Sequence, residues 1–136
     1  MITAADTNVL IDVLANDPRY AERSLAALRR CQQEGRLVIC EIVLAEVARY
    51  FASVADLRSV LSRLDISVEA FGDEVCFRAG AAFQRYRRLG GSRSRILADF
   101  LIAAHAEVKC ARLLTRDRGF YRDYFPNLAV VDPVQD

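Results

Sequence analysis

Apolar positions along the chain recur with two different periods. Short apolar runs at residues 2–5, 37–40, 66–68, 112–115 and 128–131 have the length of buried strands. Residues 8–14, 21–33, 42–51, 55–64, 74–89 and 96–109 instead repeat their apolar side chains at helical spacing, and a short helix is expected at 119–125. Alternation of this kind predicts βα crossovers and a central, mostly parallel sheet flanked by helices, an α/β fold. Gly90 to Arg95, GGSRSR, follows neither period and reads as a loop between two helices.

The polar residues that interrupt the pattern fall where strands give way to helices. In an open parallel sheet, ligands gather beyond the carboxyl ends of the strands. Asp6 follows the first strand, with Thr7 and Asn8 beside it, and Asp117 follows the strand at 112–115. Acids from the two ends of the chain therefore meet if those strands are close in the sheet. The helix at 96–109, ILADFLIAAHAEVK, is apolar almost all the way round, so protein covers most of it. Asp99 in its first turn is an expensive anion there unless a cation, a metal or several donors satisfy it, and the helix N-terminus helps only in part. Glu46 lies off the apolar face made by Val43, Leu44, Val47, Ala48 and Phe51. Each acid also has an ordinary reading. Asp6 suits a helix cap, although Thr7 is the better cap candidate. Asp117 suits a turn in TRDRG, and Glu46 suits a solvated helix face.

Composition narrows the class. A chain of 136 residues, 53% hydrophobic, fits one domain spanning residues 1–136. Its apolar runs fall short of the roughly 20 residues that span a bilayer, and the start lacks the layout of a signal peptide, so a cytoplasmic protein without membrane attachment is expected. Cys31, Cys40, Cys76 and Cys110 are widely separated and read as four buried, reduced thiols rather than a disulfide frame or a thiolate zinc site. Net charge is only +1, yet the basic residues are 18 arginines and Lys109. Five arginines crowd QRYRRLGGSRSRILA, namely Arg85, Arg87, Arg88, Arg93 and Arg95, with no acid among them. Such forks suit phosphate, and a solvated helix end followed by a soluble loop explains them equally well. Tyr86 in this stretch reads as a core or surface aromatic, or as a platform for a base. His105, the sole histidine, projects about 120° away from Asp99 around the helix. It reads as a buried structural residue, and no nucleophile is placed for Ser/His/Asp or Cys/His catalysis.

Taken together, Asp6-Thr7-Asn8 after the first strand, Glu46 in IVLAEV, Asp99 in LADFLIAAHA and Asp117 in LLTRDRGF resemble the PIN-domain ribonucleases, and among them the VapC-like toxins of bacterial type II toxin–antitoxin pairs. The resemblance covers essentially the whole chain. It implies a three-layer PIN-like fold and an acidic pocket holding one or two Mg2+ or Mn2+ ions. Carried over by position, it makes Asp6, Glu46, Asp99 and Asp117 the catalytic, metal-holding quartet, supported by Asn8 and Thr115. One departure is Gly119, where many relatives carry a further acid.

Four carboxylates in one pocket repel each other and need a cation, and hard oxygen donors favour magnesium or manganese over zinc. The resemblance also implies hydrolysis of RNA phosphodiester bonds, with Arg88, Arg93 and Arg95 as candidate substrate contacts, a homodimer, and a separately encoded antitoxin covering the pocket. Two alternatives stand beside it. A phospho-accepting receiver domain is also a small α/β fold with acids at strand ends, but Asp6 has no acidic neighbour, Asp56 lies in a helical stretch and Lys109 precedes its strand. A catalytically idle PIN-like module binding RNA or protein has no use for four mutually repelling acids.

Overall fold

The computed structural model describes residues 1–92 and 95–135, and Arg93 of the basic stretch lies outside the described residues. The chain runs β1 (Ile2–Ala5), α1 (Thr7–Leu14), α2 (Ala21–Glu34), β2 (Arg36–Cys40), α3 (Glu41–Ala48), α4 (Val54–Arg63), β3 (Ile66–Glu69), α5 (Gly72–Arg88), α6 (Leu97–Lys109), β4 (Arg112–Leu114), α7 (Arg118–Tyr124) and β5 (Val130–Val131). The five strands form one sheet in the order β3-β2-β1-β4-β5. Every pairing is parallel, with Ala4 opposite both Val38 and Leu113. Strands buried on both faces explain why they read as continuous apolar runs.

The strand order decides where a site can form. From β1 the chain moves outward to β2 and β3, crosses back, and continues in the other direction through β4 and β5. Right-handed crossovers then put the helices before the reversal on one face of the sheet and those after it on the other. The carboxyl ends of β1 and β4 flank the crevice at this reversal, which is where open α/β sheets bind ligands. The Asp6 amide donates to the Leu114 carbonyl across that crevice at 2.9 Å.

Local chemistry accounts for most element boundaries. Asp6 has extended backbone and its Oδ1 accepts the Thr7 amide at 2.7 Å, so Asp6 is the cap of α1. This corrects the preference for Thr7, which is already helical because β1 runs through Ala5. The third helix stops at Ala48 rather than Phe51: the Tyr50 and Phe51 amides tighten onto Val47 and Ala48, and Ser53 caps α4 through the Asp56 amide. The last strand shortens to two residues because the Leu128 amide turns back onto the Phe125 carbonyl. At the end of α5 the Gly90 amide bonds Arg87 and the Gly91 amide bonds Tyr86, a Schellman closure with Gly90 at φ 78°. A Cβ on Gly91 would meet the Tyr86 ring at 2.5 Å, so only glycine fits there.

Phe100 centres the packing beneath the site. Rings of Phe83 and Tyr86 from α5, Phe120 and Tyr124 from α7, and Phe125 lie with centroids 5.2–6.1 Å from it. This cluster locks the start of α6, which carries Asp99, against α7, which Asp117 precedes. Tyr86 is thus a core residue, its hydroxyl donating to the Ser92 carbonyl. The expectation of four buried thiols holds only for Cys31 and Cys40, since Cys76 is exposed and Cys110 half-buried. Cys76 lies on the outer side of α5, and Cys110 sits at the end of α6 where the chain leaves the helix for β4. All four thiols are free. No helix among the described residues is long and apolar enough to cross a membrane.

Candidate functional site

Asp6, Thr7, Asn8, Glu46, Asp99 and Asp117 line one cleft of about 390 Å3 at the reversal point of the sheet, walled also by Ile11, Ala45, Arg49, Ile102 and Tyr121. The structure therefore brings all four sequence-selected acids together from four separate segments. Asp6 reaches the cleft from the end of β1, Glu46 from α3, Asp99 from the first turn of α6, and Asp117 from the turn between β4 and α7.

Each carboxylate is held by neighbours. Asp6 is buried, and its Oδ2 accepts from the Thr115 hydroxyl at 2.7 Å, the Tyr121 hydroxyl at 2.9 Å and the Asn8 amide at 3.4 Å. The Thr115 hydroxyl in turn accepts the Asp117 amide at 3.0 Å and the Asn8 side chain at 3.2 Å, tying the two acids to one scaffold. Glu46 Oε1 accepts the Thr7 hydroxyl at 2.6 Å. Asp99 Oδ2 accepts the Ile96 amide at 3.0 Å while the Asp99 amide donates back to the Ile96 carbonyl at 3.0 Å, an exchange that fixes the Asp99 rotamer at the start of α6. Arg95 grips Asp117 with both arms of its guanidinium and stacks 4.3 Å over the Phe120 ring. Arg88 stands exposed at the end of α5.

Electrostatics follow from this crowding. Burial raises the proton affinity of Asp6, and the charge of Asp117 adds to it, while the Thr115, Tyr121 and Thr7 bonds oppose the rise. The Tyr121 hydroxyl stays protonated, pushed far up by burial and by the Asp6 charge, so it serves Asp6 as a donor. Burial alone would weaken the charge on Arg95, but Asp117 and then Asp99 hold it firmly protonated. His105 is buried on the flank of α6, and burial lowers its proton affinity despite Glu69 nearby, so the imidazole is neutral.

Several residues of this site were not evident in the sequence. Tyr121 and the Thr7–Glu46 bond depend on packing between distant segments. Outside the cleft lining, Asp12 is a buried acid in α1, gripped by both arms of Arg116 at 2.8 and 2.9 Å and by the Ser24 hydroxyl at 2.7 Å. Arg116 also stacks 4.0 Å over Tyr20, and its own amide bonds Asn8 Oδ1 at 3.2 Å. An acid embedded in the apolar helix TNVLIDVL was the available signal for Asp12, by the same reasoning that selected Asp99.

The PIN domain family profile matches residues 4–125. The chain belongs to the PIN domain family. Solved structures with this PIN fold include VapBC-1 from nontypeable Haemophilus influenzae, 23% identical with a TM-score of 0.77, covering 99% of this chain and 100% of that one. VapBC2 from Rickettsia felis, bound to a promoter DNA fragment, is 22% identical with a TM-score of 0.75 over 97% and 98% of the two chains. A toxin–antitoxin complex from Klebsiella pneumoniae is 24% identical with a TM-score of 0.69 over 96% and 97%. No curated protein matches the chain. PIN domains are a nuclease family that typically depends on divalent metal. A receiver domain is thereby set aside, and Asp56 is exposed on α4.

The donor types in the cleft suit such an ion, while their spacing is wider than a closed shell: no three of the four acids hold carboxylate oxygens all within 4.8 Å of one another. Four carboxylates supply hard oxygen ligands without histidine or cysteine among the lining residues. Burial first, and the Asp117 charge to a smaller extent, make the ionised Asp6 costly, and a cation in the cleft would relieve both.

Proposed function

We propose that this PIN domain is a Mg2+- or Mn2+-dependent endoribonuclease, the toxin of a type II toxin–antitoxin pair acting in the cytoplasm. The observation carrying this reading is the convergence of Asp6, Glu46, Asp99 and Asp117 on one cleft. One or two divalent ions bound there would reverse the local field for a phosphodiester and would supply an activated water for attack at phosphorus. Asp6 and Asp99 would hold the principal ion, Asp117 would complete its shell, and Glu46 would orient the attacking water or help to hold a second ion. Asn8, Thr115 and Tyr121 keep the Asp6 carboxylate in one rotamer. Thr7 does the same for Glu46. Attack forms a new P–O bond and breaks the bond to the 3′ oxygen, which takes up the proton, leaving a 5′-phosphate and a 3′-hydroxyl.

Single-stranded or looped RNA suits this cleft, since splayed bases let the backbone cross the acids. Arg88, Arg93 and Arg95 are the proposed contacts to its phosphates. The proposed antitoxin covers the cleft and offers it a cation, and the Arg95–Asp117 pair is a precedent within the chain for a guanidinium at these acids. A homodimer completes the proposal. Phe77, 82% exposed on α5, is the most exposed aromatic side chain of the described residues and the natural point to probe for that contact.

The deciding experiment incubates the purified chain with RNA in Mg2+ or Mn2+ and maps new 5′ ends. Asp6→Asn and Asp99→Asn should abolish hydrolysis while circular dichroism and RNA binding persist. Cleavage at the parental rate by Asp99→Asn, or in excess chelator, would overturn the reading.

A further inference from the structure

We propose that Glu69, His105 and Cys110 form a second metal site, separate from the acidic cleft, that takes a transition ion of the Zn2+ class. One ligand atom from each of the three lies within 4.8 Å of the others. Glu69 ends the edge strand β3, while His105 and Cys110 come from the far end of α6. His105 is six residues beyond Asp99, about 9 Å along the helix axis, so the two sites share an element and no ligand.

The second observation is the state of His105 itself. Its side chain is 1% exposed, and Nε2 is buried with no hydrogen-bond partner. The nearest acceptor, Glu69 Oε1, stands 3.6 Å away, beyond hydrogen-bond reach. Buried polar nitrogens are seldom left in this condition. A neutral imidazole whose Nε2 faces a carboxylate across a gap, with a thiol in reach of the pair, matches what a metal ion requires.

The geometry is close to that of a bound ion. A tetrahedral Zn2+ with bonds of about 2.0–2.3 Å holds its ligand atoms roughly 3.3–3.8 Å apart. Small side-chain movements of Glu69 and Cys110, both only partly buried, close the difference. Arg36 engages the other oxygen of Glu69 at 3.5 Å, and Lys109 donates to the Ala70 carbonyl, so neither cation holds Glu69 Oε1. Thiolate and imidazole select a softer ion than the carboxylates of the cleft, and the two sites would thus discriminate between metals. On binding, the Cys110 thiol loses its proton to solvent as the metal–sulfur bond forms. Three protein ligands leave a fourth position for water, and the bound ion ties the edge strand to the end of α6.

The test is a Co2+ titration of the full chain carrying Cys76→Ser, which removes the exposed thiol. One equivalent should produce the intense near-ultraviolet band of a thiolate–cobalt bond, and Zn2+ should bleach it. Cys110→Ser should abolish the band, Glu69→Gln should weaken affinity at least tenfold, and Asp6→Asn/Asp99→Asn should leave it intact. Zn2+ should also raise the melting temperature of the parent and not of Cys110→Ser. Absence of the band at one equivalent, its survival in Cys110→Ser, or its loss in the cleft variant would each overturn the proposal. None of these readouts depends on RNA cleavage, so failure here leaves the nuclease reading standing.

Discussion

Replacing Arg116 by alanine should be among the most damaging single changes outside the apolar core. Arg116 makes two charge-assisted bonds, at 2.8 and 2.9 Å, to Asp12, whose side chain is only 3% exposed. After truncation only the Ser24 hydroxyl still donates to that buried carboxylate. Breaking a buried pair from one side costs about 3–5 kcal/mol. The Arg116 side chain is 26% exposed, which admits water and puts the expected loss near the lower figure, about 3 kcal/mol. Loss of the stack on Tyr20 adds about 0.5–1 kcal/mol. Urea unfolding in chelator measures the total, and a cycle with Asp12→Ala and the double variant isolates the coupling, expected at about 2–3 kcal/mol. A loss below about 1 kcal/mol for Arg116→Ala, or effects additive within about 0.5 kcal/mol, would refute the reasoning. Because Arg116 stands between Thr115 and Asp117 and its amide bonds Asn8, the same variant should also cut RNA hydrolysis beyond its unfolded fraction.

Three further outcomes follow from the site and its loop. The folded-state proton affinity of Asp6 lies above its unfolded value, so as pH falls through the raised pKa the metal-free native state takes up a proton first and gains stability. The increase in melting temperature produced by Mg2+ should therefore shrink over the same interval, and an increase independent of pH down to the ordinary carboxylate range would contradict it. Arg95→Ala should lower the Mg2+ concentration for half-maximal hydrolysis, because Arg95 and the ion compete for Asp117; an unchanged or higher requirement argues against competition. Gly91→Ala should destabilise by about 1–3 kcal/mol, since its Cβ would sit 2.5 Å from the Tyr86 ring and displace it from the Phe100 cluster. A melting temperature within a degree of the parent would show that the loop yields instead.

Much of the architecture was legible from local signals, because each depends on neighbours a few positions away. Apolar periods located all twelve elements, with ends displaced by one to three residues where caps and tightened turns intervene. The closure of α5 was written in Gly90 and Gly91. Asp99 was legible as an anion inside an apolar helix, a conflict visible without coordinates. Asp12 carries the same mark, but the partner that satisfies it lies 104 residues away.

What the amino-acid sequence determined by itself was the set of pieces: five apolar strands, the helices between them, and acids at the junctions. Those follow from side-chain period and burial, which are properties of short segments. Only the tertiary structure decided that β1 and β4 lie side by side, and with them that Asp6 and Asp117 share a cleft with Glu46 and Asp99. Strand order is a choice among crossovers of similar local energy, settled by which helices bury which faces. The same choice brought Tyr121 to Asp6, Arg95 to Asp117 and His105 to Glu69, pairings that no spacing along the chain encodes.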